Sequence, residues 1–84
     1  MSNDLRIRVL DVTAEVCPFT FVKTKLLLED MKPGEVAEIR LNAGEPLVNV
    51  PRSAAEAGHR VLSVEPEDAG RARWLVRIER GPGA

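Results

Sequence analysis

The chain has 84 residues, 44% hydrophobic and 30% charged, enough for one small folded domain and too few for a second core. Twelve Lys and Arg against thirteen Asp and Glu leave a formal charge of −1, so the basic excess of a protein that binds nucleic acid directly and tightly is missing. The first residues lack the apolar stretch of a secretion signal, no later run reaches membrane-spanning length, and there is one cysteine. Together these features predict a cytoplasmic protein without membrane contact.

Leu5, Ile7 and Val9 alternate with Arg6 and Arg8, the period-two pattern of a half-buried strand. The alternation predicts the apolar set facing inward and the arginines outward. Residues 18 to 31, PFTFVKTKLLLEDM, contain no glycine and no internal proline, and their length suits a helix that opens on Pro18. Pro33-Gly34 has the chemistry of a type II turn. Ala37, Ile39 and Leu41 then alternate with Glu38 and Arg40 as a second strand, completing a right-handed βαβ unit with parallel strands.

After the loop NAGEP at 42–46, the spacing predicts a turn at 46–50 and a short second helix opening on Pro51, because proline is costly inside a helix. Gly58 is placed as the left-handed cap of that helix. RVLSVEP and ARWLVRIER read as a third and a fourth strand, joined too closely for anything but an antiparallel hairpin. The predicted fold is therefore α/β: a two-layer βαβαββ sandwich with a four-stranded mixed sheet and two helices on one face. The other face is expected to carry Arg6, Arg8, Glu38, Arg40 and Arg77 as a solvated, ion-paired surface. The tail RGPGA is expected to fray.

The one cysteine, Cys17, directly precedes Pro18. If Pro18 is the first helical residue, Cys17 is the N-cap. Its sulfur then lies beside the unpaired N–H groups of Phe19 and Thr20, at the positive end of the helix dipole. That setting lowers a thiol pKa and favours the reactive thiolate, and the Thr20 hydroxyl offers a further donor. The competing reading is a buried, inert apolar residue, the common fate of a lone cysteine. One Cys and one His, His59, are too few for a typical zinc site, and no phosphate-binding glycine loop is present, so neither a metal nor a cofactor is called for.

Along the first helix, Phe21, Thr24, Leu28 and Met31 fall on one side at spacings of three and four and are expected to face the sheet. Phe19, Val22 and Leu26 form a second stripe nearly opposite, flanked by Lys23 and Lys25. That stripe is either covered by other elements or exposed as a surface for docking a partner.

Leu10-Asp11 at a strand end, Cys17-Pro18 at a helix start, Pro33-Gly34 after the helix, Pro51 and Gly58-His59 are landmarks whose order and spacing resemble the TusA/SirA family of small sulfur-carrier proteins. The resemblance spans about residue 5 to residue 80. It implies a cytoplasmic βαβαββ domain in which Cys17 accepts a sulfane sulfur as a persulfide, supported by Pro18, Phe19 and Thr20. The sulfur would come from a donor protein such as a cysteine desulfurase or a rhodanese and pass to an acceptor protein, as in tRNA thiolation, molybdenum cofactor enzymes or sulfur oxidation. The chain departs from the family motif Cys-Pro-x-Pro, with Thr20 in place of the second proline. Thr13-Ala14 stands where Arg-Gly is common. His59 is read as a loop residue and Asp11 as a turn or cap contact. Two other functions are weighed against the carrier: a non-catalytic interaction or regulatory module in which Cys17 is structural, and an RNA-binding domain, which the charge balance and the lone tryptophan disfavour.

Overall fold

A computed structural model of the protein describes residues 7–15 and 19–82. The elements follow in the order β1 (Ile7–Asp11), α1 (Phe19–Asp30), β2 (Val36–Asn42), α2 (Glu45–Glu56), β3 (Arg60–Pro66) and β4 (Arg73–Glu79). The sheet runs β1-β2-β4-β3, with β1 and β2 parallel and the other two pairs antiparallel. This is the mixed four-stranded sheet that the patterning predicts. The Lys32–Glu35 turn closes through a Glu35 N–H to Lys32 carbonyl bond of 3.1 Å, with Gly34 at φ 92°. A type II turn requires that left-handed position, which glycine adopts without steric cost.

The core lies between one face of the sheet and the two helices. Ala37, Ile39 and Leu41 of β2 and Val76 and Ile78 of β4 are wholly buried, beneath Leu28 of α1 and Val50 and Ala54 of α2. Full burial of a side chain such as Ile39 contributes roughly 1.5–3 kcal/mol. On the opposite face Glu38 pairs with Arg77 at 2.9 Å and Arg40 with Glu67 at 3.2 Å, forming the expected ion-paired surface.

Two expectations are corrected here. In β1 the period is right but the phase is inverted. Arg8 stands in register with buried Ala37, on the helix side, and reaches Asp30 at 3.1 Å. Ile7 and Val9 lie on the open face, 55% and 63% exposed. Alternation gives a strand its period, not the direction of its first residue. At this margin of the sheet a long arginine can lay its stem along the surface and reach a carboxylate at the end of α1. Leu5 and Arg6 lie outside the described residues.

The second helix does not begin at Pro51. It runs unbroken from Glu45 with Pro46 in its first turn and Pro51 inside it. A continuous helix places Leu47, Val50 and Ala54 on one core-facing side, and that burial outweighs the N–H that Pro51 cannot donate. Gly58 caps it as predicted, at φ 96°, with its N–H bonded to Ala55 and that of His59 to Ala54.

At the start of the tail, Arg80 and Gly81 make defined hydrogen bonds. The Gly81 N–H donates to His59 Nδ1 at 3.1 Å, and Arg80 Nε donates to the Leu28 carbonyl at 3.0 Å. Only glycine permits this approach, since a Cβ at position 81 would lie 2.0 Å from the Gly58 carbonyl oxygen. Gly83 and Ala84 lie outside the described residues.

Candidate functional site

Cys17 and Pro18 lie outside the described residues. What can be built are the two segments that flank them in the chain: the turn ending at Glu15 and the first turns of α1.

The turn begins where β1 ends. The Val12 N–H continues the parallel ladder to the Arg40 carbonyl at 2.9 Å, and the Val12 side chain is wholly buried. The chain then bends around Asp11, whose Oδ1 accepts from the Thr13 N–H at 2.9 Å and from the Thr13 hydroxyl at 2.6 Å. This is the turn contact expected of Asp11, a side chain standing in for backbone. The two bonds from Thr13, the hydroxyl first, hold the Asp11 carboxyl below its ordinary value of 3.8, with smaller help from Arg40 and Arg73. The Thr13 carbonyl accepts from Asn42 Nδ2 at 2.7 Å. Glu15 closes the turn through its N–H to Val12 at 3.1 Å, and its carboxylate meets Lys23 of α1 at 2.7 Å.

On α1, Thr20 and Thr24 are buried together with Leu28, and Met31 just beyond the helix is buried as well. The Thr24 hydroxyl donates to the Thr20 carbonyl at 2.8 Å, so its polar group is satisfied within the helix. Phe21 does not face the sheet. It is half-buried against α2, in a cavity of about 50 Å³ that it lines with Leu28, Val50, Ala54 and His59. The second stripe is uncovered: Phe19, Val22 and Leu26 are 54%, 39% and 59% exposed. Lys23 and Lys25 flank it, Lys25 lying 3.9 Å from Glu29.

The structure thus brings Phe19, Val22 and Leu26 to one open helix side and ties Lys23 to the turn before the cysteine. Sequence reasoning missed Asn42, which reads as the start of a loop, and the part played by Thr13 and Glu15. A short polar side chain one position past an apolar strand was the available signal. His59 stands at the far end of the helices, against Gly81. Burial, aided by the nearby Arg80, lowers its pKa below the ordinary 6.5, with Glu29 acting the other way. Among the described residues no three His, Cys, Asp or Glu cluster to hold a metal ion, and no helix is long and apolar enough to cross a membrane.

Fold and site define a small α/β protein with its one cysteine between a structured turn and a helix, the architecture of a SirA-like protein. A SirA-like protein from Desulfitobacterium hafniense superposes with a TM-score of 0.75 over 90% of this chain and 99% of that one, at 21% identity. The family model described as "Sulfurtransferase TusA" matches residues 8–80, and the chain belongs to that family. An Archaeoglobus fulgidus protein named "Putative sulfur carrier protein" is 46% identical over 72 residues, covering 86% of this chain and 80% of its own. The Escherichia coli protein of the same description, TsuB, is 30% identical over 74 residues, covering 88% and 96%.

Proposed function

We propose that the protein is a sulfur carrier that accepts a sulfane sulfur on Cys17 and passes it to another protein. The observation that carries this reading is the family match over residues 8–80, within which Cys17 is the only cysteine. A lone thiol suffices because the partner supplies the second sulfur. The Cys17 thiolate attacks the terminal sulfur of a donor persulfide, forming one S–S bond as the donor's own S–S bond breaks. The donor leaves as a thiolate, and the transferred sulfur keeps its proton. An acceptor nucleophile then takes that sulfur, and Cys17 departs as the thiolate. Neither step needs an oxidant, a reductant, a metal or an organic cofactor. Cys17 precedes the first residue of α1 by two positions, so the helix N–H groups of Phe19 and Thr20, with Pro18 at the helix entry, are suited to stabilise the Cys17 thiolate that attacks in the first step and departs in the second.

Donor and acceptor both have to reach the thiol. The uncovered stripe of Phe19, Val22 and Leu26, with Lys23 and Lys25 beside it, starts two residues after Cys17 and supports its use as the docking surface. The carrier works in this reading in the cytoplasm, with a cysteine desulfurase, a rhodanese or a similar donor.

Intact-mass spectrometry after incubation with a cysteine desulfurase and cysteine tests the proposal. The wild type gains one sulfur atom and loses it to dithiothreitol, and folded Cys17→Ser gains none. If wild type stays unmodified with desulfurase, rhodanese and inorganic polysulfide alike, the carrier reading fails and the non-catalytic interaction module replaces it.

A further inference from the structure

We infer that Asn42 and Asp11 are positioning residues for the cysteine, acting together through Thr13; this rests on the carrier reading above. All three hydrogen-bonding groups of Thr13 are engaged by side chains from two neighbouring strands. Asp11, ending β1, takes the N–H and the hydroxyl, and Asn42, ending β2, donates to the carbonyl. The sheet register explains how they converge. Asp11 stands opposite Arg40, so Asn42 lies two residues further along β2 on the same face, about 7 Å beyond, where the chain turns out of β1.

A turn held only by its own backbone could tilt relative to the sheet. Here Thr13 is clamped from both sides by groups at the ends of two paired strands. The Glu15–Lys23 ion pair then ties the end of the turn to α1, two residues before Cys17 and six after it. The turn that leads into Cys17 is thereby held from β2, by a residue that lies 25 positions from the cysteine in the chain.

The test compares Asn42→Ala, the isosteric Asn42→Asp, Asp11→Ala and Asp11→Asn. Persulfide loading by desulfurase and cysteine is measured beside iodoacetamide alkylation of Cys17 across pH and the thermal midpoint. Asn42→Ala, Asn42→Asp and Asp11→Ala each slow loading by about tenfold or more, the scale of a small misplacement at a reacting centre. Asp11→Asn keeps an acceptor oxygen for Thr13 and stays within about twofold of wild type. Because both residues act through Thr13, the double alanine variant loses little more than either single one. Wild-type loading in folded Asn42→Asp and Asp11→Ala overturns the inference, as does a loss that merely tracks the midpoint and is not rescued by Asp11→Asn. Alkylation needs no sulfur donor, so it separates the two readings. A wild type that never takes up sulfur defeats the carrier proposal, while an altered alkylation profile in the Asn42 and Asp11 variants still supports positioning, and an unaltered one ends it.

Discussion

The two helices have equal length and cover the same face of the sheet, yet they spend their apolar residues differently. α2 is conventionally amphipathic: Val50 and Ala54 are buried, while Glu45, Arg52 and Glu56 face water. α1 buries two threonines beside Leu28 and exposes Phe19, Val22 and Leu26. Its outward residues are more hydrophobic than two of its three buried ones. Packing against the sheet explains the inner side of both helices and does not explain the outer side of α1. Water-facing apolar area of this kind, beginning two residues after the cysteine in the chain, supports the proposed role in recognition.

The sharpest way to break this comparison uses one residue type on one helix. Leu28→Ala should cost about 2–5 kcal/mol, because Leu28 is 2% exposed and its truncation leaves a cavity. Leu26→Ala, two residues earlier and 59% exposed, should stay within about 0.5 kcal/mol of wild type. Urea unfolding measures both. Equal losses would mean that Leu26 is buried in solution, and the distinction between the two sides of α1 would collapse.

A smaller effect is expected on transfer. Val22→Glu and Leu26→Glu should leave the fold intact and slow sulfur uptake from a donor protein by about tenfold, equivalent to roughly 1.4 kcal/mol of lost docking. Uptake from inorganic polysulfide, which needs no docking, should be unaffected. Val48→Glu is the control from the other helix, since Val48 is exposed to a similar degree, 61%. A Val48 variant as slow as the α1 pair would show that added negative charge, not the stripe, is responsible.

Much of this was legible in the chain. Ala37, Ile39 and Leu41 announce β2 because Glu38, Arg40 and Asn42 alternate with them and the strand lies centrally, where only one phase can be buried. Gly34 and Gly58 mark their turns because both require a positive φ. The misreadings share a cause: each depended on what lay across a gap in sequence. The phase of β1 depends on Ala37 and Asp30, and the continuity of α2 through Pro51 on the core beneath it. At the site, the stripe on α1 could be read from its spacing and its exposure could not. Asn42 was invisible because its partner is a carbonyl 29 residues away.

The smallest expected effect concerns the other ends of the two helices, where the chain terminus joins them. Arg80 holds the last turn of α1 through the Leu28 carbonyl, and the Gly81 N–H is accepted by His59, just past the cap of α2. The first tie carries a permanent charge, whereas the second requires His59 to be neutral at Nδ1. Burial and the neighbouring Arg80 favour that neutral form in the folded protein, so the pKa of His59 is lower folded than unfolded. As pH falls through 6.5 the unfolded chain takes up the proton first, and stability declines until the folded-state pKa is passed. The contribution is complete above 6.5 and lost below it, in a window well above that of Asp11, whose lowered pKa matters only under 3.8. The thermal midpoint of wild type should therefore fall between about pH 8 and pH 5 by more than that of His59→Asn, which keeps an acceptor but does not titrate. Parallel profiles for the two proteins would show that the Gly81 tie is insensitive to pH, and that both helix ends are anchored in the same way.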